Sequence, residues 1–379
     1  MNKICGITNS TIIYHKNSYH SVGVFYFYTM TDYLIIGSGL AGIAFAEIAL
    51  QNNKTIKVFE NHSQNSSWIA GGLYNPVILK RFSEVWKSQE QINIVNHFYS
   101  RLEDKLKVQV DFKIPIYRKL YSVEEQNNWF VASDKPNLAP FLSTTINYSK
   151  YNGIVSPYGF GEVMQSGYVD TALLLKSYHN YLLEKGFIVL ETFDYNQLEL
   201  HSESVVYQGQ SFKKVLFAEG FGLHANPYFS QLPLDGTKGE LLIIKAPDLD
   251  LNVILKSSVF ILPLGNHLFK VGATYNWDDK TPTPTPEGKK ELLEHLKGLL
   301  HCDFEVVDHL AGVRPTVKDR RPMIGTHPKH SNLHILNGLG TRGVMLAPAM
   351  AKELYDHLEN GQPIDPFVDI KRYKKINWD

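Results

Sequence analysis

The sequence predicts an α/β protein in which strand–helix–strand units stand at both ends of the chain and strand-rich material lies between them. Three observations predict it. Near the start, "DYLIIGSGLAGIAFAEIALQNN" passes from an apolar strand run, Tyr33 to Ile36, through a glycine turn into a helix, and "KTIKVFE" follows as a second strand. Near the end, "NLHILNGLG" reads as a strand and glycine turn, and "VMLAPAMAKELYDHLENG" as a helix stopped by Gly361. Between residues 240 and 275, "ELLIIKA", "SVFILPL" and "LFKVGATY" read as three strands.

The other elements follow in order. Residues 87 to 106 read as a helix, and 107 to 150 as a strand-rich region broken by turn residues. "VDTALLLKSYHNYLLEKG" has Asp170 or Thr171 as its N-cap and Gly186 just past its end, so it reads as a helix. "FIVLETF", "SVVYQG" and "KKVLFAEG" are short strands; "DDKTPTPTPEG" is a loop ahead of the helix "KKELLEHLKGLL". Met30 precedes the first strand directly, and residues 1–29 lack the pattern of a signal peptide. They are expected to be a disordered extension or a misplaced start; recovery of their peptides from the native protein by mass spectrometry would refute a misplaced start.

Composition narrows the partners. In 379 residues, 38 basic and 38 acidic side chains balance, so no overall field draws the chain to nucleic acid or an anionic membrane. A small molecule is the expected partner. No apolar run is long enough to span a membrane. Cys5 and Cys302 form neither a disulfide framework nor a Cys-x-x-Cys pair, which fits a reducing cytoplasm.

Gly37, Gly39 and Gly42 form G-x-G-x-x-G between the first strand and its helix, and Glu60 ends the next strand. Gly37 permits the tight turn, Gly39 lets the backbone approach a pyrophosphate, and Gly42 lets helix and strand pack closely. The N–H groups around Ser38, Leu40 and Ala41 would face the phosphates. Glu60 can accept hydrogen bonds from ribose hydroxyls and disfavours a 2′-phosphate. The motif predicts a dinucleotide but does not choose between NAD and FAD.

Later segments resemble the FAD-dependent amino acid oxidase family, which includes D-amino acid oxidase, glycine oxidase and monomeric sarcosine oxidase. The resemblance covers residues 31 to 375. It rests on "SSWIAGGLYNP", "GYVDTALLL", "VLFAEGFG" and "GTKGELL", and most specifically on "FKVGATY", "GVRPTVKDRRPMIG" and "GLGTRGVMLAPAMA". It implies a Rossmann-type FAD-binding domain assembled from residues 30–85, 160–230 and 306–379. Residues 86–159 and 231–305 would form an interleaved α+β substrate domain with an antiparallel sheet. It also implies oxidation of a C–N bond in an amino acid or carboxylate-bearing secondary amine, by hydride transfer to flavin N5. The product is an imine, and O2 or another acceptor takes the electrons, O2 giving hydrogen peroxide. "AGGLYNP" and "GLGTRGVMLAP" equally resemble the FAD-dependent half of the bifunctional enzyme that removes carboxymethyl from 5-carboxymethylaminomethyl-uridine in tRNA, the second reading. A non-catalytic flavin-binding protein is the third.

Carried over by position, Ser67, Gly71 and Gly72 would lie beside the flavin, with Gly220 in a second cofactor turn. Gly338, Gly340, Thr341, Arg342 and Gly343 would lie at the pyrimidine edge, where Arg342 would stabilise an anionic reduced ring. Lys270 matches the lysine that promotes reaction with oxygen in sarcosine oxidase-like members, the other reading being a strand lysine facing solvent. Arg314 matches the substrate-carboxylate anchor; otherwise it caps a loop or pairs with Asp308 or Asp319. Phe260 replaces a tyrosine whose hydroxyl helps hold the carboxylate in glycine oxidase-like members, and Tyr275 lines the same pocket. Lys318, Arg320 and Arg321 are expected to face solvent or fix backbone. No cysteine follows Arg314, and Trp68 and Ile69 stand where some relatives have a histidine, so FAD is expected to be non-covalent. His327, His330 and His334 read as loop histidines rather than metal ligands.

Overall fold

The computed structural model describes residues 30–378; the expectation for residues 1–29 lies outside them. The run 31–36 is a parallel strand, Thr31–Ile36, buried along its last four residues, and it turns directly into helix α1, Leu40–Gln51. Ile56–Phe59 pairs with it on one side and Gln210–Phe217 on the other, both in parallel. Leu333–Asn337 joins Gln210–Phe217 in parallel and carries Met323–Thr326 as an antiparallel neighbour. The first sheet is thus built from segments far apart in sequence. Helices α3 (Ser88–Leu106), α5 (Thr171–Glu184) and α7 (Gly343–Asn360) bury their apolar faces with α1 in one core.

A second, largely antiparallel sheet has the order 305–314, 237–245, 268–272, 260–265, 254–256, 116–119, 160–163, 142–147. Helix α6, Pro286–Lys297, covers one of its faces with Leu292 and Leu296 against Leu242 and Ile244. Its Thr285 N-cap is itself held by Glu240, which accepts from Thr285 N and Oγ1 at 2.9 and 2.7 Å. The short helix α2, Ser66–Ile69, meets the other face, where a Cβ on Gly312 would fall 2.8 Å from Ile69.

Three expectations change. Residues 160–163 and 306–314, expected in the FAD-binding domain, are hydrogen-bonded into the second sheet. Region 107–150, read as strand-rich, contains helix α4, Val123–Ser133. Ser122 caps it by accepting from Glu125 N at 3.1 Å while Glu125 accepts from Tyr121 N, a reciprocal cap written in the sequence as Ser-x-x-Glu. Arg314 stands not in a loop but at the end of a strand, Glu305–Arg314.

One core group makes the fold acid-sensitive. His334 is 1 % exposed, and burial first, with Lys214 and His357 adding to it, pushes its imidazole down to about 3. An unfolded histidine binds a proton near pH ~6.5. This contribution to stability is therefore present above pH ~6.5 and lost progressively as pH falls towards 3. His334→Asn is expected to flatten the slope of unfolding free energy against pH in that window, measured by denaturant melts; an unchanged slope would exclude His334 as its source.

Candidate functional site

The glycine turn is built for close approach. Gly37 has φ +92°, and a Cβ there would stand 2.6 Å from Ala218 O; one on Gly42 would stand 1.9 Å from Gly37 O. Gly39 is the N-cap of α1 and no side chain caps it. In the first turn of the helix, Leu40 N donates to Ser67 Oγ at 3.3 Å. Glu60, one residue past its strand, accepts from Ser38 N at 2.6 Å, Ser38 Oγ at 2.9 Å and His62 N at 2.6 Å. The sequence reading missed His179. Its Nε2 lies 3.0 Å from Ser38 O, to which it donates, and 2.7 Å from Ser38 Oγ. Burial holds its pKa below the usual value, favouring the neutral ring. The available signal was a histidine on the buried stripe of a readable helix.

The second glycine turn meets the first. A Cβ on Gly343, the first residue of α7, would lie 3.1 Å from Leu40, so the N-termini of α1 and α7 are neighbours. Gly338 and Gly340 have φ +73° and +57°. Asn337 ties this turn to Gly220 by donating to its carbonyl at 2.9 Å, and Gly340 N donates to Pro315 O at 2.9 Å. Thr341 is exposed and Arg342 partly buried beside Arg320 and Arg321, with burial and those like charges lowering its pKa and the nearby Tyr275 opposing them.

Register brings the remaining residues to one face. In the second sheet, Phe260 pairs with Gly272 and Lys256, Gly272 with Leu241, Lys270 with Leu262 and Ile243, and Gly239 with Gly312. Directly paired residues and those two apart share a face. Arg314, Gly239, Lys270, Gly272, Phe260 and Lys256 therefore all face α2 and the 70–72 loop. Lys270 does not point to solvent: its Nζ donates to Ala70 O at 3.1 Å, and burial lowers its pKa against the raising influence of Asp170. Gly71 is where Phe260 arrives, since a Cβ there would be 2.6 Å from the ring; one on Gly72 would be 1.9 Å from Val169 O.

Arg314 decides between its two readings. Asp319 is held by Arg372 at 3.1 Å and Asp308 accepts from His309 N. Among the described residues no carboxylate lies within ion-pair distance of Arg314. Its Nη1 donates to Thr274 O at 3.3 Å, its guanidinium lies 4.8 Å from the centre of the Tyr275 ring, and burial lowers its pKa. Its head rests over Gly239, whose Cβ would stand 1.8 Å from Nη2. A crowded cation without a counter-ion favours an anion. Tyr275 is 60 % exposed, so it forms the rim rather than the floor of the pocket.

The donor set fits FAD. Two helix N-termini stand together as a pyrophosphate would need, Glu60 lies at the turn where ribose hydroxyls would reach it, and Gly340, whose Cβ would meet nothing nearer than Pro315 O at 3.9 Å, leaves room beside the turn for a flat ring. No cluster of three or more histidine, cysteine, aspartate or glutamate side chains with metal-ligand geometry occurs among the described residues, and none of their helices is long and apolar enough to cross a membrane.

Comparison with known proteins agrees with this architecture. The family model described as FAD dependent oxidoreductase matches residues 32–357. Glycine oxidase of Bacillus subtilis is 31 % identical over 146 residues, 37 % of this chain and 40 % of that protein. The tRNA 5-methylaminomethyl-2-thiouridine biosynthesis bifunctional protein MnmC of Marinobacter nauticus is 29 % identical over 161 residues, 38 % of this chain and 26 % of that protein. The chain thus spans less than half the length of either relative. Iminodiacetate oxidase from Chelativorans sp. BNC1 shares the fold, with TM-score 0.71 and 17 % identity over 90 % of this chain and 98 % of that one. With most of its length matched and the cofactor cradle in place, the chain belongs to the FAD dependent oxidoreductase family.

Proposed function

We propose that the chain oxidises the C–N bond of an amino acid or of a secondary amine bearing a carboxylate. One observation carries this reading: the Arg314 guanidinium, crowded and without a carboxylate partner, shares a sheet face with Lys270 and the loop that borders the cofactor. The names of the glycine oxidase and iminodiacetate oxidase relatives support it.

Bound FAD supplies a two-electron acceptor for hydride leaving carbon. The chain's own part is positional. Arg314 receives the carboxylate in a two-pronged hydrogen bond, which fixes the Cα–H towards the 70–72 loop. Phe260 supplies an apolar wall where a hydroxyl is absent, and Tyr275 stacks on the guanidinium from the rim. Arg342 holds positive charge at the N-terminus of α7, where it would stabilise negative charge on FAD bound there. No side chain is required as a strong base if the amine binds neutral; water then hydrolyses the imine.

Lys270 would place a cation where oxygen is reduced. Lys270→Met is expected to slow oxygen consumption about 100-fold, and to slow anaerobic reduction by substrate much less. Stopped-flow comparison of the two half-reactions checks this, and equal slowing of both would remove the oxygen role.

Peroxide release on adding glycine, sarcosine, D-amino acids or 5-carboxymethylaminomethyl-uridine tests the reading; none from any free amino acid or amine would count against it. A second reading, a glycine-like group carried on tRNA, is supported by exposed side chains: Tyr275 and Trp277 are 60 % and 43 % exposed, Lys318 and Arg320 are exposed too, and Tyr275 and Arg320 both act on Arg342. Bases stack on aromatic rings and phosphates attract cations. Peroxide from the nucleoside alone, with salt-sensitive RNA retention, would select it. FAD bound without turnover of any amine would select a non-catalytic role.

A further inference from the structure

The substrate face of the second sheet carries a positive charge that the proposed reaction does not use. Lys256 lies in strand Ile254–Lys256, paired directly with Phe260 on one side and Arg118 on the other. Its Nζ stands 5.9 Å from the centre of the Phe260 ring. Among the described residues it makes no ion pair and no side-chain hydrogen bond. It is partly open to solvent yet sufficiently enclosed that burial, followed by repulsion from Arg118, pushes its pKa down to about 8.

Arg118 is already occupied. Its Nη2 lies 3.6 Å from Glu125 and its Nη1 donates to Leu79 O at 3.1 Å, with its head 5.3 Å from the Phe82 ring. Arg118 is thus compensated by Glu125 of helix α4, whereas Lys256, like Arg314, has no counter-ion among the described residues. The Arg314 head lies over Gly239, one strand in from its own, so the path from there to Lys256 crosses three strand spacings and is offset by two residues along the strands. With strands ~4.8 Å apart and ~3.3 Å per residue along them, these backbone positions are about 16 Å apart, and Lys256 leaning towards Phe260 brings the two cations to about 10 to 14 Å. Allowing ordinary charge-assisted contact at each end, the bound anions would be about 3 to 7 Å apart.

Building on Arg314 as the carboxylate anchor, we propose that Lys256 binds a second carboxylate, so that the preferred substrate is a dicarboxylic amino acid or amine spanning Phe260. One uncompensated ammonium balances a monoanion, which favours carboxylate over phosphate. The Phe260 ring supplies the apolar surface for the carbon chain between them. Loss of the tyrosine hydroxyl at 260 and the presence of a lone cation behind it thus become parts of one specificity.

The test is flavin absorbance titration of the purified holoprotein with glutarate and with valerate, which have the same number of carbons but differ by one carboxylate. Glutarate is expected to bind about tenfold or more tightly than valerate, and Lys256→Met to bring that ratio to about one. Retained visible absorbance in the variant shows that it folds and keeps FAD. Equal affinities in the unsubstituted protein, or a preference that survives Lys256→Met, would overturn the proposal. Arg314→Met separates this from the reading beneath it. Loss of valerate binding keeps Arg314 as the anchor, whereas unchanged valerate binding removes the anchor and this proposal with it.

Discussion

Arg314→Ala is expected to lower kcat/KM for a carboxylate-bearing amine by about 2 to 5 kcal/mol, or roughly 30- to 5,000-fold. The size follows from the setting. Burial has already stripped much of the guanidinium's water, which lowers its pKa, and its one side-chain hydrogen bond among the described residues is to Thr274 O. A carboxylate arriving there replaces missing solvation as well as adding attraction, whereas an alanine leaves that carboxylate in a partly desolvated pocket without a donor. Arg314→Lys should recover only part of the loss, because an ammonium restores charge but not the planar fork. Gly239→Ala offers a second approach that leaves the arginine in place. Its new Cβ would collide with Nη2 at 1.8 Å, and since the far end of a long side chain can swing away, the protein should fold while the anchor is displaced. KM is expected to rise in the same direction as in Arg314→Ala. Steady-state kinetics on variants shown to retain FAD check all three, and unchanged kcat/KM in Arg314→Ala would remove the role.

Gly42→Ala is expected to yield protein that purifies without FAD. The added methyl carbon would sit 1.9 Å from Gly37 O, an atom of the turn itself. Backbone cannot swing away as a side chain can, so α1 must move off the strand or the turn must open. Overpacking typically costs about 1 to 3 kcal/mol, and a backbone obstacle puts this case at the upper end of that range. Either movement separates the α1 N-terminus from Ser67 and Glu60, which the turn brings together. The contrast is Gly343→Ala at the neighbouring helix start, where the new atom would lie 3.1 Å from the end of the Leu40 side chain, which can adjust. That variant should retain most of its cofactor. Visible absorbance per protein after gel filtration measures both; a fully yellow Gly42→Ala would show that the close packing is dispensable.

The parts legible in the sequence were those carried by contiguous residues. Tyr33 to Gly42 encode strand, turn and helix in one stretch, and Asp170 and Gly361 mark helix ends through their own chemistry. Helix α4 was equally local, with Ser122 and Glu125 as its signal, but the strand-like aromatic residues around it drew the reading the other way. The strand Glu305–Arg314 was hidden because its charged residues and the prolines beyond it resemble a solvated loop; pairing with Thr237–Lys245 makes it a strand. Site residues divide in the same manner. Gly37, Glu60 and Arg314 could be placed by motif or family likeness. His179 and Lys256 acquire meaning only when α5 packs under Ser38 and when Ile254–Lys256 takes its place beside Phe260, and neither distance can be read from spacing.

The central claim is that a carboxylate held by Arg314 orients an amine for oxidation. Its most direct test is anaerobic bleaching of the bound flavin by matched pairs: glycine against methylamine, sarcosine against dimethylamine, and a D-amino acid against its decarboxylated amine. The account predicts bleaching by at least one carboxylate-bearing member and none by its partner at equal concentration, with the difference lost in Arg314→Ala. Equal bleaching by both members of every reactive pair would contradict it.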